Sequence, residues 1–132
     1  RGDVFVSPFI GRLDDTGQRG VDLISNIQST YEYGDGHVEV LAASIRSYGH
    51  FLHCLAIGAD IITAPLKILK EWAEHGLEIP LAEYRFEQEG LLSIPYIEQD
   101  VQSSWKDINV RHPLTDVGLE KFAQDWQSLI GA

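Results

Sequence analysis

The sequence predicts an α/β fold in which helices cover a parallel β-sheet. Three short apolar runs do not alternate with polar residues, which is typical of strands that are buried on both faces. A segment with apolar residues at helical spacing follows each run. Strand and helix therefore alternate three times within residues 1–76, which indicates three βα units.

The first unit begins with Val4-Phe5-Val6, which runs directly into a serine and a proline. Gly20 then precedes a helix, and the turn composition of residues 33–36 ends it. The apolar residues on one side of this helix are Val21, Ile24, Ile27 and Tyr31.

The second unit has its strand at residues 38–43 and the clearest helix of the chain after it. Ser47 can cap that helix, and Gly58 supplies a stop. The third unit places a short buried strand at residues 59–63, and Pro65 lies in the first turn of the next helix.

Residues 77–111 break this rhythm and predict a mostly irregular excursion. It covers core surface or, alternatively, forms a lid or subunit contact. Thr115 can cap a last helix, at about residues 115–130, with an apolar stripe that should be buried against its own barrel or a neighbouring subunit.

Three parallel strands would leave apolar surface bare, whereas an eightfold barrel of βα units needs about 250 residues. We therefore expect residues 1–132 to be the C-terminal half of one (β/α)₈ TIM barrel, containing its last three βα units and a C-terminal helix. The sequence has no methionine and opens on Arg1, which also suggests a piece of a longer chain. The alternative is a small doubly wound domain, complete in itself but with exposed sheet edges.

Composition excludes several classes of function. The net charge is −10 and the ten cationic residues are scattered, which argues against a nucleic-acid partner. Apolar runs are too short to span a membrane. One cysteine, Cys54, cannot form an internal disulfide, so a cytoplasmic location is expected. Cys54, His50 and His53 have spacings that could hold a metal, but we expect no metal site and a surface or partly buried histidine pair.

Polar groups follow the first two strands in the same order, a serine and then an arginine. The carboxyl ends of barrel strands form the active-site face. We therefore expect one mouth to gather Ser7, Phe9, Arg12, Ser44 and Arg46. Two guanidinium groups and two hydroxyls would suit a phosphate.

An alternative interpretation of these residues needs no ligand. In it, Arg12 pairs with Asp14 or Asp15, and Arg46 is a solvated residue in the first turn of a helix. Separately, Asp14 and Asp15, with Glu32 and Asp35, could be paired carboxylates for acid/base chemistry, but we expect them to be solvated loop charges.

Four ordered blocks resemble the small transaldolases, a group that includes the fructose-6-phosphate aldolases. They are Val6–Asp15 (VSPFIGRLDD), Glu39–Arg46 (EVLAASIR), Gly58–Pro65 (GADIITAP) and His112–Phe122 (HPLTDVGLEKF). The resemblance implies a class I (β/α)₈ enzyme of the pentose phosphate pathway, which transfers a dihydroxyacetone unit between sugar phosphates through a lysine Schiff base. This chain would hold barrel strands six to eight, and no cofactor is implied.

By motif position, the resemblance implies that Arg12, Ser44 and Arg46 bind the substrate phosphate and that Ser7 contacts substrate hydroxyls. Phe9 stands where the dedicated aldolase has a tyrosine, so transfer is favoured over free aldol cleavage. The family's Schiff-base lysine lies on an earlier strand, and we expect the piece alone to be inactive. The partners would be sugar phosphates, the missing barrel half and, in a homo-oligomer, further copies.

Other functions stay open at this point. They are a fructose-6-phosphate aldolase, a transaldolase for sulfonated sugars and a noncatalytic module that binds phosphosugars.

Overall fold

A computed structural model describes residues 4–34, 36–98, 100 and 104–131 of the chain. The chain divides into two compact units, Arg1–Gln99 and Asp100–Ala132, and each is described by itself.

The first unit contains a three-stranded parallel sheet, as the sequence predicts. Its strands are β1 (Val4–Val6), β2 (Val38–Ala42) and β3 (Ile61–Ile62), and their order in the sheet is the order of the sequence. Val4 pairs with Val38, and Leu41 pairs with Ile61. A strand order without reversal is what successive units of a barrel produce, so the sheet is consistent with part of one.

Four helices belong to the first unit. They are α1 (Ile10–Asp14), α2 (Gly20–Tyr31), α3 (Tyr48–Ala56) and α4 (Leu66–Glu74). The last three confirm the predicted crossover helices, but α1 was not predicted, because five residues are too few to show a helical repeat. Pro65 is the N-cap of α4 and does not lie within its first turn.

The core lies between the sheet and these helices. Its buried members are Ile10, Val21, Ile24, Val40, Ala42, Ile45, Phe51, Cys54 and Ile68. The prediction of a buried first strand is wrong within this chain: Val4 and Phe5 are 43% and 47% exposed. They are exposed because β1 is an outer strand of the sheet, paired with β2.

The centre of α3 is buried, and both its ends are as predicted. The Ser47 hydroxyl accepts a hydrogen bond from the backbone N–H of His50 at 3.1 Å, and Gly58 adopts the left-handed conformation (φ +66°) just beyond the helix. The expectation of a surface or partly buried histidine pair is wrong, since His50 and His53 are each only 2% exposed. Burial raises the pKa of the Cys54 thiol to about 12, so this cysteine is a core residue.

His53 joins α3 to the segment after α4. Its Nδ1 accepts a hydrogen bond from the backbone N–H of Phe86 at 3.0 Å, and its Nε2 lies 3.4 Å from the Ser25 hydroxyl on α2. Further along, the backbone N–H of Ile94 donates to the Asp22 carboxylate at 2.9 Å. These contacts lay residues 86–94 over α2 and α3, where Phe86 packs against the core.

The second unit contains a 3₁₀ turn, Trp105–Asp107, and one long helix, α5 (Pro113–Ile130). The predicted Thr115 cap is wrong. The helix begins earlier, at Pro113, because proline fits the first helical position. His112 is therefore the N-cap, and its Nδ1 accepts a hydrogen bond from the backbone N–H of Leu114 at 3.3 Å. The apolar side chains of α5 are exposed in this chain rather than buried; they are Val117, Leu119, Phe122, Trp126, Leu129 and Ile130.

None of the helices in the described ranges is both long and apolar enough to cross a membrane.

Stability should fall as the pH drops from about 6.5 to about 4, in part because of His53. Burial lowers the pKa of His53 from 6.5 to about 4, so between these values the unfolded chain binds a proton that the folded chain does not. The contribution of His53 is therefore complete above pH 6.5 and is lost as the pH falls through this window. Urea unfolding at pH 7 and pH 4.5 measures the effect, and His53→Gln should reduce it. Equal pH dependence in both proteins would contradict the assignment.

Candidate anion-binding site

The chain segments that follow β1 and β2 continue side by side beyond the strands. The backbone N–H of Ala43 donates to the Pro8 carbonyl at 3.1 Å, and the N–H of Ile10 donates to the Ala43 carbonyl at 3.1 Å. One step further, the N–H of Gly11 donates to the Ser44 carbonyl at 3.2 Å. The two strand ends that the sequence predicts to converge are therefore neighbours.

Phe9 and Arg12 are brought together by α1. Phe9 is the N-cap residue of this helix, and Arg12 follows one turn later. The guanidinium carbon of Arg12 lies 5.0 Å from the centre of the Phe9 ring, which is a cation–π contact. Both side chains are exposed at the surface, where a ligand can reach them.

Ser44 adopts a conformation that is unusual for a residue with a side chain. Its φ is +61°, in the left-handed region that glycine prefers. This backbone strain is of the kind that is found at functional sites. Here the turn lets Ile45 enter the core while Arg46 stays at the surface.

The side chain of Arg46 lies across Gly11 of α1. Gly11 directly precedes Arg12 in the sequence. A Cβ atom on Gly11 would lie 2.5 Å from Nε of Arg46 and would also collide with the Ser44 carbonyl. The Nη1 atom of Arg46 contacts Oδ1 of Asp15, and both side chains are about half exposed. Glycine at position 11 thus lets the side chain of Arg46 approach α1, the helix that carries Arg12.

His50 contacts both Asp14, the last residue of α1, and the backbone of Arg46. The Nε2 atom of His50 is 2.7 Å from Oδ2 of Asp14, and Oδ1 of Asp14 accepts a hydrogen bond from the backbone N–H of Gly20 at 2.8 Å. The other ring nitrogen of His50, Nδ1, lies 3.4 Å from the backbone N–H of Arg46. Burial lowers the pKa of His50, although Asp14 opposes this effect.

The alternative interpretation of the arginines gave the two carboxylates the wrong partners. Asp15 pairs with Arg46, whereas Asp14 binds His50 and the start of α2. Arg46 precedes the Ser47 N-cap and so lies outside α3. The sequence did not reveal the role of His50, and its position four residues after Arg46, on the same helix as His53, was the available signal.

Ser7 is exposed one residue beyond the end of β1. It therefore lies on the strand end that leads to Phe9 and Arg12, while the backbone hydrogen bonds described above join this segment to Ala43 and Ser44.

The positions of His50, His53 and Cys54 do not support a metal site. The ring nitrogens of both histidines face protein partners, and Cys54 is fully buried. Across the described residues, no group of three or more His, Cys, Asp and Glu side chains could hold a metal ion.

The four lysines of the chain are exposed and lie on helical segments. Lys67 and Lys70 belong to α4, Lys106 to the 3₁₀ turn and Lys121 to α5. A nucleophilic lysine needs a desolvated setting that lowers its pKa. The exposed lysines here do not have such a setting. Arg12 and Arg46, in contrast, are exposed cations that follow neighbouring strands, and a guanidinium group can donate charge-assisted hydrogen bonds to an anion.

Comparison with known proteins identifies relatives along nearly the whole chain. The family model described as Transaldolase/Fructose-6-phosphate aldolase matches residues 2–132. A probable transaldolase of Brucella ovis is 38% identical over 125 residues, which cover 95% of this chain and 41% of the relative. One from Phocaeicola vulgatus is 37% identical over 130 residues, covering 98% and 43%. The chain spans about two fifths of the length of these curated relatives.

Replacing Gly11 with alanine should disturb this site and destabilise the fold. The added methyl group meets a backbone carbonyl and Arg46, and overpacking of this kind costs about 1–3 kcal/mol. Gly118→Ala is the matched control, because a Cβ there has open space within α5 and should be neutral or stabilise by up to about 1 kcal/mol. Urea unfolding of both variants measures the difference. Similar effects at the two positions would show that α1 does not approach Ser44 as described.

Proposed function

This chain belongs to the transaldolase/fructose-6-phosphate aldolase family, and from that premise we propose that it forms the phosphate-binding side of a transaldolase active site. The observation that carries the proposal is the placement of Arg46 across Gly11, beside Arg12. Two guanidinium groups at neighbouring strand ends match the several oxygens of a phosphate better than lysines would.

Each residue of the strand ends has a distinct role in this proposal. Arg12 and Arg46 bind the phosphate of the sugar, and the Ser44 hydroxyl completes its coordination. As the family resemblance implies, Ser7 contacts substrate hydroxyls; it is exposed one residue beyond the end of β1. Phe9 supports Arg12 through its ring and has no proton to donate, which favours transfer to an acceptor sugar over a water-dependent release.

The reacting lysine is proposed to lie outside this chain. A Schiff base forms when a lysine amine attacks the ketone carbon of the donor sugar and water leaves, and the resulting iminium stabilises the carbanion after carbon–carbon cleavage. The exposed setting of the four lysines here supports this assignment. The residues of this chain then contribute binding and orientation, so the piece alone should be inactive.

We further propose that the chain supplies strands six to eight of a (β/α)₈ barrel. Two features support this: the share of the relatives that it spans, and the exposed Val4 and Phe5 on the outer strand β1, which a preceding strand would cover. A homo-oligomer and a place in the pentose phosphate pathway stay predictions of the family resemblance, and a cytoplasmic location stays a prediction from the single cysteine.

Borohydride trapping of the full-length protein with fructose 6-phosphate tests the reaction class. The imine between the lysine and the substrate should be reduced to a stable secondary amine, which adds mass to the protein and abolishes activity. Peptide mapping should place the adduct outside residues 1–132. A protein that binds fructose 6-phosphate without forming an adduct would instead be a noncatalytic phosphosugar-binding module.

Arg46→Ala tests the phosphate role directly. Loss of a charge-assisted contact should raise KM for fructose 6-phosphate at least tenfold, with a much smaller change for an unphosphorylated analogue. Arg111→Ala is the control, because Arg111 is an exposed arginine paired with Asp116 in the second unit. A sulfonated sugar assayed beside the phosphate distinguishes a sulfosugar transaldolase. Equal changes in KM for phosphorylated and unphosphorylated substrates would refute the phosphate role.

A further inference from the structure

We propose that His50 and Asp14 are positioning residues of the anion site, which fix the backbone of Arg46 and the end of α1 so that the two guanidinium groups converge. The inference rests on the proposed function, because it concerns the same phosphate site. Neither residue is assigned a contact with the substrate, and both act through Arg46 and its neighbours.

The hydrogen-bond pattern fixes which nitrogen of His50 carries the proton. The backbone N–H of Arg46 points to Nδ1 at 3.4 Å, so Nδ1 must be the unprotonated acceptor. The proton of the neutral ring is then on Nε2, which lies 2.7 Å from Oδ2 of Asp14 in an electrostatic contact that is not aligned as a hydrogen bond. Burial lowers the pKa of His50, which favours this neutral form. One tautomer therefore connects Asp14 to the backbone of Arg46.

Asp14 extends the connection to two helices. Its second oxygen accepts a hydrogen bond from the N–H of Gly20, the first residue of α2, while Asp14 itself is the last residue of α1. The next residue, Asp15, contacts the guanidinium group of Arg46. Arg46 is consequently held at both ends, by His50 at its backbone and by Asp15 at its side chain.

Burial keeps water from replacing the contacts of His50. His50 is 2% exposed, and the ring of Phe86 closes over it edge-on with the ring centres 4.6 Å apart. A hydrogen bond away from water has no competing partner, so losing it leaves a donor or acceptor unsatisfied. The position of Arg46 should therefore depend strongly on this one imidazole.

His53 provides a matched control within the same helix. It is equally buried, at 2% exposure, and it lies one turn beyond His50 on α3. Its ring contacts the backbone of Phe86 and the Ser25 hydroxyl, on the side of α2 and residues 86–94 rather than at Arg46. Substitution of either histidine should cost stability, but only one of them should affect the anion site.

The first experiment compares His50→Gln with His53→Gln in the full-length protein. Glutamine at position 50 can still donate to Asp14 but offers Arg46 no acceptor where Nδ1 stood. Calorimetric titration with inorganic phosphate and with fructose 6-phosphate should show about tenfold weaker binding in His50→Gln and no change in His53→Gln, although urea unfolding shows both to be destabilised. Equal affinities in the two variants would overturn the positioning role.

The second experiment uses Asp14→Asn, which keeps the shape and an acceptor for Gly20 but presents an amide N–H₂ to His50. The proton of the imidazole should then move from Nε2 to Nδ1. A protonated Nδ1 can no longer accept the hydrogen bond from the backbone N–H of Arg46. The ¹⁵N chemical shifts of the labelled ring report this reversal, and phosphate affinity should fall with it. An unchanged tautomer with unchanged affinity would overturn the inference even if His50→Gln does not fold.

Failure of the proposed function gives a different result. A wild-type protein that binds neither inorganic phosphate nor fructose 6-phosphate would refute the phosphate site and this inference with it. Wild-type binding that neither variant weakens would refute only the positioning role.

Discussion

The close approach of α1 to the end of β2 is the contact on which the rest of the site depends. The N–H of Gly11 reaches the Ser44 carbonyl, and the side chain of Arg46 occupies the space that a Cβ at position 11 would need. Without this approach the two arginines would still follow neighbouring strands, but their guanidinium groups would not lie over the same helix. The absence of a side chain at Gly11 and the left-handed backbone of Ser44 therefore allow this close approach, which the strand order alone does not produce.

The sequence predicted the parts of this fold that depend on periodic patterns. Repeated apolar spacing located α2, α3 and α4, and the serine–arginine repeat located both strand ends. It could not locate α1, a helix of five residues whose first two, Ile10 and Gly11, donate tertiary hydrogen bonds to Ala43 and Ser44. Nor could it place His50 and His53 inside, because a histidine on an apolar helix is compatible with either environment until its partners Asp14 and Phe86 are known.

For the proposed anion site to work in an acidic chain, the carboxylates closest to it must be neutralised. The net charge is −10, and two aspartates follow Arg12 within three residues. Asp14 is turned inward to His50 and to the N-terminus of α2, where the helix dipole favours a negative charge. Asp15 is paired with Arg46. Neither carboxylate therefore faces the ligand position as an uncompensated charge.

The pair between Asp15 and Arg46 also determines how strongly a phosphate must bind to take its place. Both side chains are about half exposed, and surface pairs of this kind contribute at most about 1 kcal/mol. A phosphate that is bound by two guanidinium groups gains several charge-assisted hydrogen bonds, each stronger than that. In the proposed site, Asp15 would consequently hold Arg46 in place before a phosphate binds, without competing effectively afterwards. The contact of Asp15 with the exposed guanidinium group and the contact of His50 with the part-buried backbone N–H of Arg46 therefore act on two different parts of the same residue.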